Sequence, residues 1–205
     1  KNLCENDAAT DLEAAALNAL AVLSRCSDTS SRGHLNVATF IEEDMCEVVL
    51  NHLERNIANS SLVYFTCEVM FNFTVCSEVA SQRFLSCKAI AHLSKILQSY
   101  NDNIDLVIYA LGSLSHLSSP NAAKNTTTMS VLEEFGLHGV LEMIVSSIEL
   151  FHDNDSVVLF AVITVENLVR HKSMIHRLGR AGVCNVFSSA FLAHLSDPSI
   201  VFSIL

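Results

Sequence analysis

The sequence predicts an all-α fold, a right-handed α-solenoid of about four repeats. A nine-residue motif of small and apolar residues recurs four times without gaps, with starts 50, 44 and 51 residues apart. Such spacing is typical of helical repeats. Pairs of amphipathic stretches lie between the copies, and no stretch shows strand alternation bounded by hairpin turns. The pattern spans residues 1–205 and predicts one domain.

The nine-residue motif predicts the long core helix of each repeat. It starts with a small residue in every copy, and its fifth and eighth residues are apolar. The first, second, fifth and eighth residues fall on one face of a helix, so this face should be buried. The last copy is rich in β-branched residues and could form a strand, but its place in the repeat favours a helix. The copies are ALNALAVLS (16–24), TCEVMFNFT (66–74), ALGSLSHLS (110–118) and AVITVENLV (161–169).

Breaks within the paired stretches divide each of them into two helices. Gly136 with Gly139 and Gly179 with Gly182 provide the breaks in the later copies, because glycine can end one helix before the next begins. In the earlier copies Asp44 and Lys88 occupy the equivalent places and predict weaker breaks. The paired stretches are residues 37–53, 83–97, 131–145 and 175–192.

The junctions before the core helices are rich in asparagine. The segments NIANSS, YNDN and FHDND predict N-caps for the helices that follow them. Residues 118–128 are small and polar and predict a loop. Near the C-terminus, Asp197 precedes Pro198, which predicts the start of a fifth core helix. We therefore expect the chain to be a fragment of a longer solenoid.

Charge and composition exclude several classes of function. The net charge of −10 disfavours nucleic acid and anionic membranes as partners and favours a basic partner segment. The longest apolar run, residues 157–165, falls short of the ~20 residues that cross a bilayer. The seven cysteines contain no C-x-x-C pair, so free thiols in a reducing compartment are expected. The predicted location is cytoplasmic, with nuclear or cytoskeletal sites as alternatives.

No enzyme motif is present in the sequence. It has no phosphate-binding loop, no G-x-G-x-x-G and no G-x-S-x-G, so we expect neither catalysis nor a cofactor. His171 and His176 are five residues apart and do not share a helix face, so no metal site is expected either.

The motif with its paired stretches resembles the armadillo repeat family. That family's unit has a short first helix, a second helix opened by glycine, and a long third helix ending in A-l-x-x-L-x-N-L. The four motif copies match the third helix, and the opening of the second helix matches at 136–141 and 182–187. Residues 44–49 and 88–93 match by apolar pattern alone. The resemblance implies a solenoid whose concave groove is lined by the third helices.

Family members such as importin-α and β-catenin use asparagine at the seventh motif position to bind an extended peptide backbone. This position holds Asn72, His116 and Asn167 in three copies and Val22 in the first. An amide can donate to and accept from a main chain. Counting the neighbouring Glu68 and Arg170, the resemblance implies a partner-binding surface of five residues. The chain has no tryptophan, whereas importin-like members place one before the asparagine.

The function implied by the resemblance is a non-catalytic scaffold or adaptor that binds a partner segment, extended or helical, in its groove. One alternative is a regulatory module that recognises a small GTPase or an autoinhibitory segment, and another is a cargo or nuclear transport adaptor. The basic residues Arg170, Lys172, Arg177 and Arg180 form either a solvated helix end or a site for an acidic or phosphorylated partner.

Overall fold

The structure is a computed structural model that describes residues 2–26, 32–122 and 128–195. Over these ranges the chain forms α-helices and no β-strand, which confirms the predicted all-α class. The helices are α1 (Asn2–Ser24), α2 (Arg32–Glu42), α3 (Met45–Arg55), α4 (Ser60–Cys76), α5 (Glu78–Ser86), α6 (Ala89–Ser99), α7 (Ile104–Leu117), α8 (Thr128–Leu137), α9 (Val140–Leu150), α10 (Asp155–Val169), α11 (Lys172–Ala181) and α12 (Val183–Ala193).

The helices pack with a period of three elements. The motif copies fall in α1, α4, α7 and α10, and each of these third helices packs against the next. The second helices α3, α6, α9 and α12 do the same. Successive three-helix units therefore lie side by side, in the order of the sequence.

Asparagine caps begin three of the third helices. Asn59, Asn103 and Asn154 each accept a hydrogen bond from the backbone N–H three residues later, at 3.3, 3.2 and 3.0 Å. Each bond satisfies one of the unpaired donors of a helix start and contributes about 1 kcal/mol. The predicted N-caps are confirmed at these junctions.

One left-handed residue precedes each second helix. Asp44, Lys88, Gly139 and Gly182 have φ of 54°, 59°, 65° and 91°. The expectation of weaker breaks at Asp44 and Lys88 is therefore wrong, because both adopt the same backbone conformation as the glycines. Tertiary packing imposes a conformation that costs roughly 1–2 kcal/mol for a residue with a side chain.

The placement of one second-helix opening is also wrong. Gly136 lies inside α8, and the left-handed residue that precedes α9 is Gly139, three residues later. At the other glycine pair, Gly179 lies inside α11 and Gly182 opens α12, as the match at 182–187 predicts.

The buried face of the third helices matches the motif. Its fifth residue is fully buried in α4 and α7, as Met70 and Leu114, and its eighth residue is buried in α4, α7 and α10. The first copy departs from the predicted face, because its eighth residue, Leu23, is 50% exposed and its first residue, Ala16, is exposed as well. The stretch that could have been a strand lies in α10 and is helical.

The cysteines depart from the expectation of free thiols. Cys46 and Cys67 are free and buried, as predicted. Cys26 and Cys76 form a disulfide, because packing of α1 on α4 brings their Cα atoms to 6.0 Å although they are 50 residues apart in sequence. The expectation was wrong for these two residues.

Two further expectations fall partly or wholly beyond the described ranges. The structure shows turns at residues 118–121 of the predicted loop, and residues 123–127 lie outside the described part. The proposed fifth core helix, residues 196–205, also lies outside it. None of the described helices combines the length and the apolar character needed to cross a bilayer.

The burial of the motif predicts a specific stability effect. Leu114 and Leu168 have relative exposures of 0% and 1%, so replacing either with Ala leaves a cavity in the core. We expect each substitution to lower the free energy of unfolding by roughly 2–5 kcal/mol. Urea unfolding followed by circular dichroism measures it, and Leu137→Ala, at a 74% exposed position, is the control. Equal losses in all three variants would contradict the burial described here.

Candidate functional site

Aromatic rings form a continuous row across the third helices α4, α7 and α10. We call this row the aromatic face; it consists of Tyr64, Phe71, Tyr109 and Phe160, all partly exposed. The ring centroids lie 5.5 Å apart for Tyr64–Tyr109, 5.8 Å for Phe71–Tyr109 and 5.5 Å for Phe71–Phe160. Each contact lies within the range of favourable aromatic pairs. The face therefore extends over three successive helical units.

The repeat itself explains part of this row. Tyr109 and Phe160 each stand directly before the motif, so they occupy equivalent positions on neighbouring helices, as does Phe65 on α4. Phe65 contacts Tyr64 edge-on, at 5.4 Å between centroids. This aromatic position was a signal in the sequence that the motif analysis missed, because it lies one residue outside the nine-residue window.

Gly112 makes room for the rings on α7. A Cβ at this position would lie 2.5 Å from Cε2 of Phe71 and 3.3 Å from Cε2 of Phe160. Glycine inside a helix costs about 1 kcal/mol relative to alanine. Here the missing side chain lets Phe71 cross the α7 backbone and meet Phe160 on α10. Gly112 is thus a structural requirement of the aromatic face.

An ion pair lies beside the tyrosines. Arg25 donates from Nε and Nη2 to Oε1 of Glu68, at 3.2 and 2.5 Å. Glu68 is 3% exposed, and this hydrogen bond is the main cause of the raised pKa of Arg25. Burial raises the pKa of Tyr109, so its phenol stays neutral at physiological pH. The hydroxyl oxygen of Tyr109 lies 3.5 Å from that of Tyr64. Glu68 was predicted as a partner-binding residue, and the structure places its carboxylate beneath Arg25.

The predicted asparagines connect neighbouring third helices. Asn72 donates from Nδ2 to the carbonyl oxygen of Ala21 at 3.0 Å, and Asn167 donates to that of Ser115 at 3.2 Å. In both cases the seventh motif residue bonds the sixth motif residue of the preceding third helix. Asn167 also donates to Oγ of Ser118 at 3.1 Å. Partner binding by these side chains stays a prediction, and their amide groups already have a structural task.

His116 occupies the seventh position on α7 and contacts the aromatic face instead. Its ring lies 6.3 Å from that of Phe71. Burial lowers the pKa of the imidazole, which therefore favours the neutral form. The ring also lines a cavity of about 230 Å³ between the ends of α4 and α7, together with Thr74, Ser77, Glu78 and Ser119. Of the predicted site residues, His116 is the one whose ring contacts a ring of the aromatic face, and Glu68 lies near its tyrosines.

The basic residues near α11 are solvent-exposed. Arg170 donates to Oε1 of Glu166 at 2.8 Å, one turn earlier. Lys172 and Arg180 are exposed and share a helix face by their spacing. The Arg177 side chain packs over Gly136 of α8, where a Cβ would collide with it. An acidic or phosphorylated partner at these residues stays a prediction.

Two other features of the described residues could form a ligand-binding site. A cavity of about 380 Å³ lies between α9 and α12 and is lined by Ile148, His152 and Asn185 among others. At the ends of α1 and α4, ligand-type atoms of Cys26, His34 and Cys76 lie within 4.8 Å of one another. The sequence analysis considered His171 and His176 for metal binding and did not consider His34. Cys26 and Cys76 stand at the same distance from their motif starts, and this repeat equivalence could have revealed the pair.

Comparison with known proteins adds no assignment. No family model matches the chain, and neither a curated protein nor a solved structure matches it significantly.

The asparagine bonds revise the expected effect of removing them. Sequence reasoning predicts that Asn72→Ala with Asn167→Ala weakens partner binding at almost unchanged stability. Because the two amides make three hydrogen bonds in total, we now expect the double variant to lose roughly 1.5–4.5 kcal/mol of unfolding free energy, at ~0.5–1.5 kcal/mol per bond. Chemical denaturation measures the loss, with the exposed Asn51→Ala as control. An unchanged midpoint would show that these bonds contribute nothing.

Burial of His116 predicts a pH dependence. Its folded-state pKa lies below the unfolded value, so the unfolded chain binds a proton at this imidazole more readily than the folded chain does. Stability from this residue is therefore present above the unfolded pKa of about 6.5 and is lost as the pH falls through it. Melting temperatures between pH 8 and pH 5 should fall less steeply in His116→Gln than in the wild type. Parallel profiles would contradict this assignment.

Proposed function

We propose that the chain is a non-catalytic protein-interaction module, built as a right-handed α-solenoid of about four armadillo-like repeats. The third helices would line its concave surface, and the aromatic face would bind an extended segment of a partner protein. The observation that supports this most is the continuity of partly exposed rings from α4 over α7 to α10.

Rings of this kind suit a binding surface. Aromatic side chains offer a large contact area at a small cost in conformational entropy, and they dominate the energetics of many interfaces. The rings here are already held in place by one another and by Gly112, so little ordering remains for a partner to impose. A partner that covers them would remove further apolar surface from water.

Charge points to a basic partner segment. The chain carries a net charge of −10, which attracts a cationic segment over a distance. Lys or Arg side chains can also lie over the electron-rich faces of Tyr and Phe rings, at about 0.5–2 kcal/mol each. The Arg25 guanidinium beside the tyrosines is neutralised by Glu68 and does not offset this attraction.

Selection of random peptides displayed on phage tests the proposal. We expect the immobilised chain to enrich peptides that carry Lys or Arg, and their affinity to fall with rising salt. Synthetic versions of these peptides then give Kd values by fluorescence anisotropy with the wild type and variants. A selection that enriches no peptide would overturn the proposal.

Two glycine variants provide the decisive comparison. Gly112→Ala forces Phe71 from its position, so we expect binding to weaken by at least about tenfold, or 1.4 kcal/mol. Gly179→Ala is the matched control, because it lies within α11 and a Cβ there meets nothing within 4 Å. Its Kd should stay within about twofold. Circular dichroism checks that both variants stay folded. Equal Kd values would place the peptide elsewhere on the molecule.

A further inference from the structure

We propose that Cys26, His34 and Cys76 bind a zinc ion when the protein is reduced. One ligand-type atom from each residue lies within 4.8 Å of the others, in the manner of a three-ligand site. The disulfide between the cysteines is the oxidised form of the same cluster. This inference is independent of the partner-binding surface.

Three helices hold the ligands in place. Cys26 follows the end of α1, Cys76 is the last residue of α4, and His34 lies in the first turn of α2. The α1–α4 packing fixes the two cysteine backbones at a Cα separation of 6.0 Å. The Asn72 bond to α1 lies one turn from Cys76. The cluster is therefore a product of the tertiary structure and not of a local loop.

The ring of His34 is held against the backbone of Cys76. Its Nδ1 lies 2.9 Å from the backbone carbonyl oxygen of Cys76, and since that oxygen only accepts, Nδ1 carries the hydrogen. In this tautomer the lone pair is on Nε2, which is the nitrogen that would bind the ion. Metal-binding histidines characteristically donate their other ring N–H to such a group. His34 is exposed, so the ring can reach an incoming ion from solvent.

The cysteines need only small movements after reduction. Zinc–sulfur bonds of about 2.3 Å in a tetrahedral site place two sulfurs about 3.8 Å apart. Rotation of the two side chains supplies that separation once the S–S bond is gone. Two thiolates and one imidazole leave a fourth position for water.

The change of state balances in electrons and protons. A phosphine reductant supplies two electrons and becomes the phosphine oxide by taking the oxygen of one water molecule, and the two protons of that water convert the disulfide into two thiols. Zinc then displaces both thiol protons into the solvent and binds the thiolates. The disulfide form has no thiolate to offer, so oxidised protein should not bind zinc at this place.

Two of the three helix ends at the cluster, the carboxyl ends of α1 and α4, favour a cation. The carboxyl ends of α1 and α4 both point at the cluster, and the carbonyl oxygen of Ser24 lies 3.7 Å from Sγ of Cys26 and 3.2 Å from Sγ of Cys76. Helix C-termini carry partial negative charge, which stabilises a bound cation. The same charge disfavours an unbound thiolate.

Cobalt(II) provides the direct test, because it substitutes for zinc and reports thiolate ligation by absorbance. The full chain is reduced with a phosphine, stripped of metal and titrated. We expect sulfur-to-cobalt charge-transfer and tetrahedral d–d bands that saturate at one equivalent, and that one equivalent of zinc abolishes. Oxidised protein should show neither band. Absence of the bands from reduced protein would overturn the proposal and leave a structural disulfide only.

Variants identify the ligands. Cys76→Ser should abolish the charge-transfer band. His34→Ala should weaken zinc binding by at least about tenfold, because even the removal of a group that only orients a metal ligand has an effect of that size. Cys184→Ser and His92→Ala are the matched controls, since Cys184 is free and exposed and Nδ1 of His92 also contacts a backbone carbonyl, at 3.2 Å. Bands unchanged in both ligand variants would overturn the assignment. His34→Ala changes an exposed residue, which keeps the test valid if Cys76→Ser misfolds.

Discussion

The side-by-side packing of the third helices is the constraint on which the other features depend. Small residues at the motif starts, such as Ala110 and Ala161, are fully buried and let neighbouring helices approach closely. Asn72 and Asn167 then bond the backbone of the helix before them. Because this arrangement repeats, residues at equivalent positions can lie close together on neighbouring helices, as Cys26 and Cys76 do. Both candidate sites arise in this way.

The aromatic face and the cysteine–histidine cluster are two consequences of the same repeat. Tyr109 and Phe160, the residues directly before the motif on adjacent helices, both contact Phe71, which lies over Gly112. Residues just after the motif meet as Cys26 and Cys76 at the ends of α1 and α4. The first set is apolar and extends over three helices, which suits a polypeptide. The second is compact and rich in metal ligands, which suits a single ion.

Much of the fold was predictable from local pattern. The four motif copies, the helical nature of residues 161–169 and the asparagine caps follow from side-chain periodicity and helix-end chemistry, both of which act within a few residues. The breaks were harder. Asp44 and Lys88 adopt the conformation of glycine, and Gly136 does not, because packing of the paired helices determines where the break falls. The conformational preference of a single residue does not predict the position of the break.

The candidate sites show the same division. The sequence by itself determined the helices, their order, their buried faces and the acidic charge, since each of these follows from composition or from a short period. It also placed Asn72, His116 and Asn167 at one motif position. Only the tertiary structure decided what these residues contact: two bond a neighbouring helix, one packs on an aromatic ring, and Glu68 lies beneath Arg25. Such contacts join residues more than 40 positions apart. Their geometry depends on how closely the helices approach. Side-chain shape determines that distance, and the spacing of the repeat in the sequence does not predict it.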